Sequence, residues 1–466
     1  MGGGHRRVSR ARWLVMDSTI QSLTDLRAFR NSLYRCFERR ADALFELTDA
    51  VLTAGTVPSP VHLSLATAHR RGWGSLYAAL SCGRIEEGSL RELLARHAST
   101  GDARGAPVYA VDVSVWSRCD AETSPGRGYY YHPSRHSSGQ PIVAGWAYQL
   151  VAGLSFERDS WVAPTDARRV HPEEDANEVA VAQVKDLLRR QAGTRGAVPL
   201  FVFDAGYDPV KLQRGLEGHR AHVLVRLHSN RAFYADPDDV EPRPVGRPRR
   251  HGSKFALPDP ETWPEPASEH RCLTGDYGEV RVRAWSGLHP KTRRIAERYG
   301  CQRAPVVRGT VILVEVAKLP RETRKPKKLW LWWHGEGEPD LDLLWRSYVR
   351  RFDLEHTIRF LKQTLGWTTP RVRHPEQADR WTWLVFAAYA QLGLARSLAE
   401  DRRLPWERPQ RDRRLTPCRT LRGFAALLVA VGTPASAPKP CGRSPGRPRG
   451  RLSGQAKRYP ALKKAA

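Results

Sequence analysis

Long apolar runs are missing from this 466-residue chain. The most apolar stretch, Trp381 to Leu398, is interrupted by Gln391, Gly393 and Arg396, so it reads as a buried helix and not as a membrane span. The first fifteen residues carry His5, Arg6, Arg7, Arg10 and Arg12 but no apolar core of signal-peptide length. They read as a disordered basic leader, with Met16 as a second candidate start. Cysteine is sparse: Cys36, Cys82, Cys119, Cys272, Cys301, Cys418 and Cys441 are odd in number, and no two lie two to four residues apart. That excludes a zinc knuckle, argues against a disulfide framework and fits a reducing cytoplasm. Internal repeats are lacking as well. Acid is short too, with 49 Asp and Glu against 76 Lys and Arg, a net charge of +27. An excess of that size calls for a polyanionic partner, nucleic acid first and an anionic membrane second. Ala, Gly, Pro and Arg are all abundant, so nucleotide bias is a competing source of part of the Arg excess.

What is present divides into segments. Residues 16–105 predict a helical domain, with Leu26, Phe29, Leu33, Phe37, Leu44, Phe45 and Leu47 at helix-like spacing. Pro58 and Pro60 interrupt it; His62–Arg70, a turn at Arg71–Gly74, and Ser75–Ser81 follow. Ser89, with Glu92 three residues on, predicts a capping box for a helix to His97. Short helices around a Gly turn, with Arg70, Arg71 and Arg84 nearby, suit a helix-turn-helix DNA reader or a plain helical bundle equally well. Residues 106–227 predict strands at Val108–Val115, Gln140–Leu154, Ser160–Ala163, Val198–Asp204 and Ala221–Leu227. Helices are expected at Glu173–Gln191 and at Pro209–Leu216, the latter capped by Asp208. This is α/β organisation with a mixed sheet. Residues 228–340 read as a β-rich insertion, with strands at Val280–Ala284, Gly309–Ala317 and Lys328–His334. Residues 341–400 return to helix and 401–433 add a helical segment at Thr420–Val431. The tail 434–466 has nine Lys or Arg and no acid, a composition that predicts disorder.

The stretch Tyr348 to Gly366 has no Pro, and its one Gly stands where a helix should stop. Tyr348, Arg351, Glu355 and Lys362 fall within an arc of about 60° on one helical face. Leu354, Ile358, Leu361 and Leu365 form the apolar stripe beside it. Alone, this reads as the solvated face of an ordinary amphipathic helix. Two other carboxylates change its weight. Asp112 sits in the run VYAVDVSVW and Asp204 ends PLFVFD, and a carboxylate in or at the end of an apolar strand needs a partner, a metal or an exposed strand end. Asp208 is explained as a helix cap, Asp120 lies in a loop, and Asp353 points roughly 160° away from Glu355. Asp112, Asp204 and Glu355 remain, an all-oxygen set suited to Mg²⁺ or Mn²⁺ and to phosphodiester chemistry. Arg351 and Lys362, with Tyr348, are expected to hold phosphates.

The spacing Tyr348-x2-Arg351-x3-Glu355-x6-Lys362, after Asp112 and Asp204, resembles the Tyr-Arg-Glu-Lys signature of bacterial insertion-sequence DDE transposases, over roughly residues 105–400. The resemblance implies a ribonuclease-H-like catalytic domain interrupted by the insertion, with Asp112, Asp204 and Glu355 binding two Mg²⁺ ions, Mn²⁺ substituting. It implies cut-and-paste transposition on double-stranded DNA, both terminal inverted repeats and target, by a dimer or higher oligomer associated with the nucleoid. Trp330, Trp332 and Trp333 are candidates to stack on a flipped base, or strand residues facing a core. Gly246-Arg247-Pro248-Arg249 and Gly446-Arg447-Pro448-Arg449 are candidates for a minor-groove hook, or solvated basic loops. His132 and His136 have no recognisable metal partners. Two other functions fit the same residues: a transposase-derived DNA-binding regulator, and a metal-dependent nuclease without strand transfer.

Overall fold

The computed structural model describes residues 4–98, 105–131, 141–157, 159–191, 196–237, 249–291, 306–320, 327–409, 415–440, 450 and 454–463. They fall into two compact units. One comprises residues 1–99, 113–174 and 353–466, the other 100–112 and 175–352.

The first unit opens with five helices: α1 (Gly4–Arg35), α2 (Ala41–Thr53), α3 (Pro60–Leu63), α4 (Trp73–Cys82) and α5 (Glu87–Arg96), with strands β1 (Phe37–Arg39) and β2 (Arg84–Ile85) paired antiparallel. Helix α1 takes in most of the residues read as a basic leader. The expected helix His62–Arg70 is reduced to the single turn α3, started by Pro60. The cap of α5 also differs from expectation. Glu86, not Ser89, is the N-cap, and its carboxylate accepts the N–H groups of Gly88 and Ser89. Strand β3 (Val108–Ser117) enters this unit at Val113 and lies beside β5 (Ile142–Leu154), which pairs antiparallel with β4 (Gly128–Tyr131) and β6 (Val162–Val170). At Gly145 a Cβ would stand 2.2 Å from the Trp116 carbonyl oxygen, so the close approach of β3 to β5 requires glycine there. The basic tail is not wholly without structure. Tyr459 N–H donates to Glu122 O and Leu462 N–H to Arg127 O, both at 2.7 Å.

Three helices complete the unit: α9 (Phe352–Gln363, in this unit from Asp353), α10 (Pro375–Ala395) and α11 (Pro417–Val431). Helix α10 starts with Pro at its first turn, and the N–H of His374 donates to the Gln377 side chain at 3.0 Å. Its residues are apolar nearly all round because helices α1, α2, α4 and α11 and strand β6 pack around it. Its polar interruption, Gln391, is fully buried and accepts from Arg30 Nη1 at 2.6 Å. Arg30 also binds both oxygens of Asp49, at 2.7 and 2.9 Å, and donates to Gly432 O at 2.8 Å. Three helices and the end of a fourth thus share one buried guanidinium.

The second unit is a seven-stranded mixed sheet flanked by helices. Its parallel core is the first half of β3, β7 (Leu200–Phe203) and β8 (His222–Arg226). The crossovers carry α6 (Ala176–Arg190) and α7 (Pro209–Gly215), and Asp208 caps α7 as expected, accepting from Val210 N–H at 2.9 Å. Small strands β9 (Ala232–Tyr234) and β10 (Lys254–Ala256) pair with each other. Strands β11 (Ser268–Thr274), β12 (Gly278–Leu288), β13 (Gly309–Val316) and β14 (Leu329–His334) form an antiparallel meander. Strand β14 then pairs antiparallel with β8, Trp332 opposite Val225. The residues read as an insertion therefore extend the parallel core as one mixed sheet. Helix α8 (Leu341–Arg350) follows, packed on β11 and β12.

No helix among the described residues is long and apolar enough to cross a membrane. The Arg30 network gives the first unit a single point of failure. Arg30 and Asp49 are 1% and 2% exposed, so Arg30→Ala leaves a buried carboxylate without its cation and should cost about 3–5 kcal/mol in urea unfolding. A loss below about 1 kcal/mol would mean that the network relaxes around water.

Candidate active site

The ladder of parallel strands sets the geometry. Val111 is opposite Phe203, and Phe203 is opposite Val225. The next residues along the three strands are Asp112, Asp204 and Arg226, so the register carries two acids and a base side by side at the strand ends. Strands β3 and β7 reach this point as buried apolar runs, Val108–Val111 and Leu200–Phe203. The carboxylates open toward solvent at the end, with 21% of the Asp112 side chain and 37% of the Asp204 side chain exposed.

Arg351 supplies a cation to both acids. Its Nη1 lies 2.9 Å from Asp112 Oδ2, and its Nη2 lies 3.8 Å from Asp204 Oδ1. The side chain is 2% exposed and its guanidinium lies over the rings of Tyr348 and Phe352, 5.7 and 5.3 Å from their centroids. Tyr348 is also buried, and its hydroxyl donates to Asp204 Oδ1 at 3.3 Å. Burial pushes its pKa up to about 12; Arg351 opposes the rise and Asp204 adds to it. Tyr207 is buried beside the same charges, and desolvation, then Asp112, raises its hydroxyl well above the ordinary phenol. Arg226, half exposed, stands 3.6 Å from Asp204 Oδ1.

The signature stretch is two helices and not one. Helix α8 ends at Arg350; Arg351 keeps helical torsions, but its N–H is shared between Ser347 O and Tyr348 O, and α9 starts at Phe352. The boundary falls at a residue with helical torsions, with neither Pro nor Gly nearby. Tyr348 and Arg351 lie in the second unit with Asp112 and Asp204, whereas Glu355 and Lys362 lie in the first. Glu355 is exposed on α9, whose stripe Leu354, Ile358, Leu361 and Leu365 is buried. Helix α9 stops as expected before Gly366, which has φ +67, and Trp367 N–H closes the end on Leu361 O at 2.8 Å. Lys362 Nζ donates to Val115 O at 2.9 Å and sits 5.8 Å from the Trp367 ring centroid. Desolvation brings its pKa down to about 8.

These contacts correct several expectations. Arg351 and Tyr348 are buried against carboxylates, and Lys362 is turned to a backbone carbonyl, so none of the three is an open phosphate clamp. Trp330, Trp332 and Trp333 are 2%, 0% and 5% exposed. Trp330 packs among Phe255, Trp263 and Trp285, Trp332 stacks on Phe233, and Trp333 meets His222. Both faces of β14 are core, which leaves no ring for a base. Arg249 is an exposed residue, while Arg247, Arg447, Arg449, His132 and His136 lie outside the described residues. Arg226 and Tyr207 escaped the sequence reading. Arg226 had a visible signal, a charge closing the third apolar run HVLVR just as Asp204 closes the second.

The donor set suits a hard divalent cation: two carboxylates at adjacent strand ends, partly open to solvent, with no His or Cys at the pair. Two positive groups face the pair: Arg351 at 2.9 and 3.8 Å and Arg226 at 3.6 Å.

The family model described as DDE superfamily endonuclease matches residues 32–291, more than half of the chain. The chain belongs to that family of endonucleases. Among solved structures, the cryo-EM structure of a piggyBac transposase synaptic complex with hairpin DNA is 11% identical. Its similarity covers 85% of this chain and 73% of that one at a TM-score of 0.39. No curated protein matches the sequence.

Lys362 generates a pH-dependent prediction. With a folded pKa of about 8 against an ordinary 10.5, the unfolded chain binds more protons between those values, so stability rises with pH across that window. Below pH 8 the protonated amine is buried at a cost on the order of 1–3 kcal/mol. Lys362→Met should therefore be more stable than wild type at pH 7, with the gap closing by pH 10.5. A gap in urea unfolding free energy that stays constant over that range refutes the assignment.

Proposed function

We propose that this chain is a DDE transposase of the insertion-sequence type. It cleaves DNA at the ends of its element and joins them to target DNA by cut-and-paste. The observation that carries the proposal is the pairing of Asp112 and Asp204 on one buried guanidinium at the ends of neighbouring parallel strands. Membership of the endonuclease family and the net charge of +27 support a nucleic-acid substrate.

In this reading Asp112, Asp204 and Glu355 hold Mg²⁺, with Mn²⁺ able to replace it. When bound, the metal supplies an activated water or 3′-hydroxyl and stabilisation of the leaving oxygen. Arg351 fixes the two aspartates in register and balances their charge. Tyr348, kept protonated by burial, orients Asp204 through its hydrogen bond. Arg226, on the third strand end, is the cation with the exposure to meet a phosphate. Lys362 braces α9 on β3 through Val115 O and so fixes the helix that carries Glu355. The N-terminal helices and the basic tail add salt-sensitive affinity for DNA, and a dimer or higher oligomer brings two element ends together.

The test is a supercoiled donor plasmid bearing the element's own ends, incubated with protein and Mg²⁺. Asp112→Asn, Asp204→Asn and Glu355→Gln should each lower excision by more than about 100-fold. Each variant should retain DNA binding that weakens with salt. Wild-type excision by Asp204→Asn would overturn the site. Simple nicks without joined donor–target DNA would instead identify a nuclease, and tight end binding without nicking a regulator.

A further inference from the structure

A second cluster of metal-binding groups lies in the meander, away from the carboxylate pair in sequence and different in chemistry. Among the described residues, His270, Cys272 and Asp342 form the one group of three whose ligand atoms all lie within 4.8 Å of one another. Its origin is strand periodicity. His270 and Cys272 are two apart on β11, so both side chains leave the same face, while Glu269, Arg271 and Leu273 point the other way and are exposed. That shared face looks onto α8, and Asp342 stands in the first turn of that helix.

From this arrangement we infer that His270, Cys272 and Asp342 form a three-ligand site for a borderline-soft divalent ion, Zn²⁺ by preference, that clips the edge strand β11 to helix α8. Three observations carry it. First, the donors are one imidazole, one thiol and one carboxylate, the mixed set that Zn²⁺ accepts and Mg²⁺ does not. Second, the spacing is that of a coordination shell. His270 Nε2 and Asp342 Oδ1 are 3.3 Å apart, and a tetrahedron with Zn–N and Zn–O bonds of ~2.0 Å has an edge of about 3.3 Å. Third, His270 Nε2 is sealed from solvent and makes no hydrogen bond, although the carboxylate is so near. An imidazole nitrogen held inward 3.3 Å from a carboxylate, out of solvent and without a hydrogen bond, stands where a metal ligand would.

The surroundings complete the site. Asp342 Oδ1 accepts from Trp345 Nε1 at 3.1 Å and from Arg346 Nε at 2.8 Å. Such hydrogen bonds fix a ligating carboxylate in place. On the floor, Val280 and Val282 are fully buried opposite Cys272 and His270. Ion binding replaces the thiol proton, which leaves to solvent, so affinity rises with pH. The fourth position is left for water. The consequence reaches beyond the meander, because α8 carries Tyr348 and ends beside Arg351.

The probe is Co²⁺, followed by Zn²⁺, added to the full-length protein after chelator treatment under reducing conditions. Wild type should take up one equivalent of Co²⁺ with a thiolate-to-cobalt charge-transfer band and the intense visible absorption of four-coordinate Co²⁺, both bleached by one equivalent of Zn²⁺. Cys272→Ser and His270→Gln should lose the band and the saturable equivalent, while Cys119→Ser should keep both. Zn²⁺ should raise the melting temperature of wild type and leave both ligand variants unmoved. A wild type without the band overturns the inference, and so does a band of equal intensity in Cys272→Ser. Mg²⁺ should not compete at millimolar concentration, which separates this site from the carboxylate pair.

Discussion

Two carboxylates that end neighbouring strands repel each other, and the Arg351 guanidinium is what lets Asp112 and Asp204 end there together. Unit charges about 5 Å apart at an effective dielectric of ~20 interact by roughly 3 kcal/mol, a sizeable part of a domain's net stability. The cation that offsets this repulsion comes from the end of α8, is covered by Tyr348 and Phe352, and is almost without solvent contact. Much else in the second unit serves that placement. The meander β11–β14 supports α8, α8 presents Arg351, and the parallel core holds the acids.

The carboxylates were legible in the sequence because burying charge in an apolar run is conspicuous: FVFD and VYAVD each break a pattern. The elements were legible for the same kind of reason, from strand alternation around Asp112 to the stripe Leu354, Ile358, Leu361 and Leu365. Burial of the polar partners was not. A phenol, a guanidinium and an ammonium on one predicted face look like a surface, and nothing in one dimension says that Tyr348 and Arg351 turn inward to meet Asp204 and Asp112. The boundary at Arg351 was hidden too, since no Pro or Gly marks it. The tryptophans misled for a related reason. KLWLWWH has the alternation of a strand with one wet side, but β14 sits between β8 and β13 and is covered on both.

The absence of closely spaced cysteines excludes a zinc knuckle, whereas a mixed cluster needs only one thiol. His270 and Cys272 are adjacent on a strand face, but Asp342 is seventy residues beyond Cys272 and reaches them only because α8 folds back over β11. The two clusters differ in the hardness of their atoms: oxygen at the parallel strand ends, nitrogen, sulfur and oxygen at the sheet edge. Arg346 and Trp345 at one, and Arg351 and Tyr348 at the other, come from the same helix and its last turn.

The apolar ladder that leads to the acids carries little information about its own alignment. Residues Val108–Val111 and Leu200–Phe203 are buried on both faces, so in–out alternation does not distinguish one register from the next. The charged row at the end does. If β7 advanced by one residue, Phe203 would take the place of Asp204 and Asp204 would turn to the opposite face. Arg351 would then face one acid where it now faces two. The charged groups at the strand ends thus double as a checksum for assembly, and a chain that pairs its strands wrongly loses the row of acids that Arg351 holds.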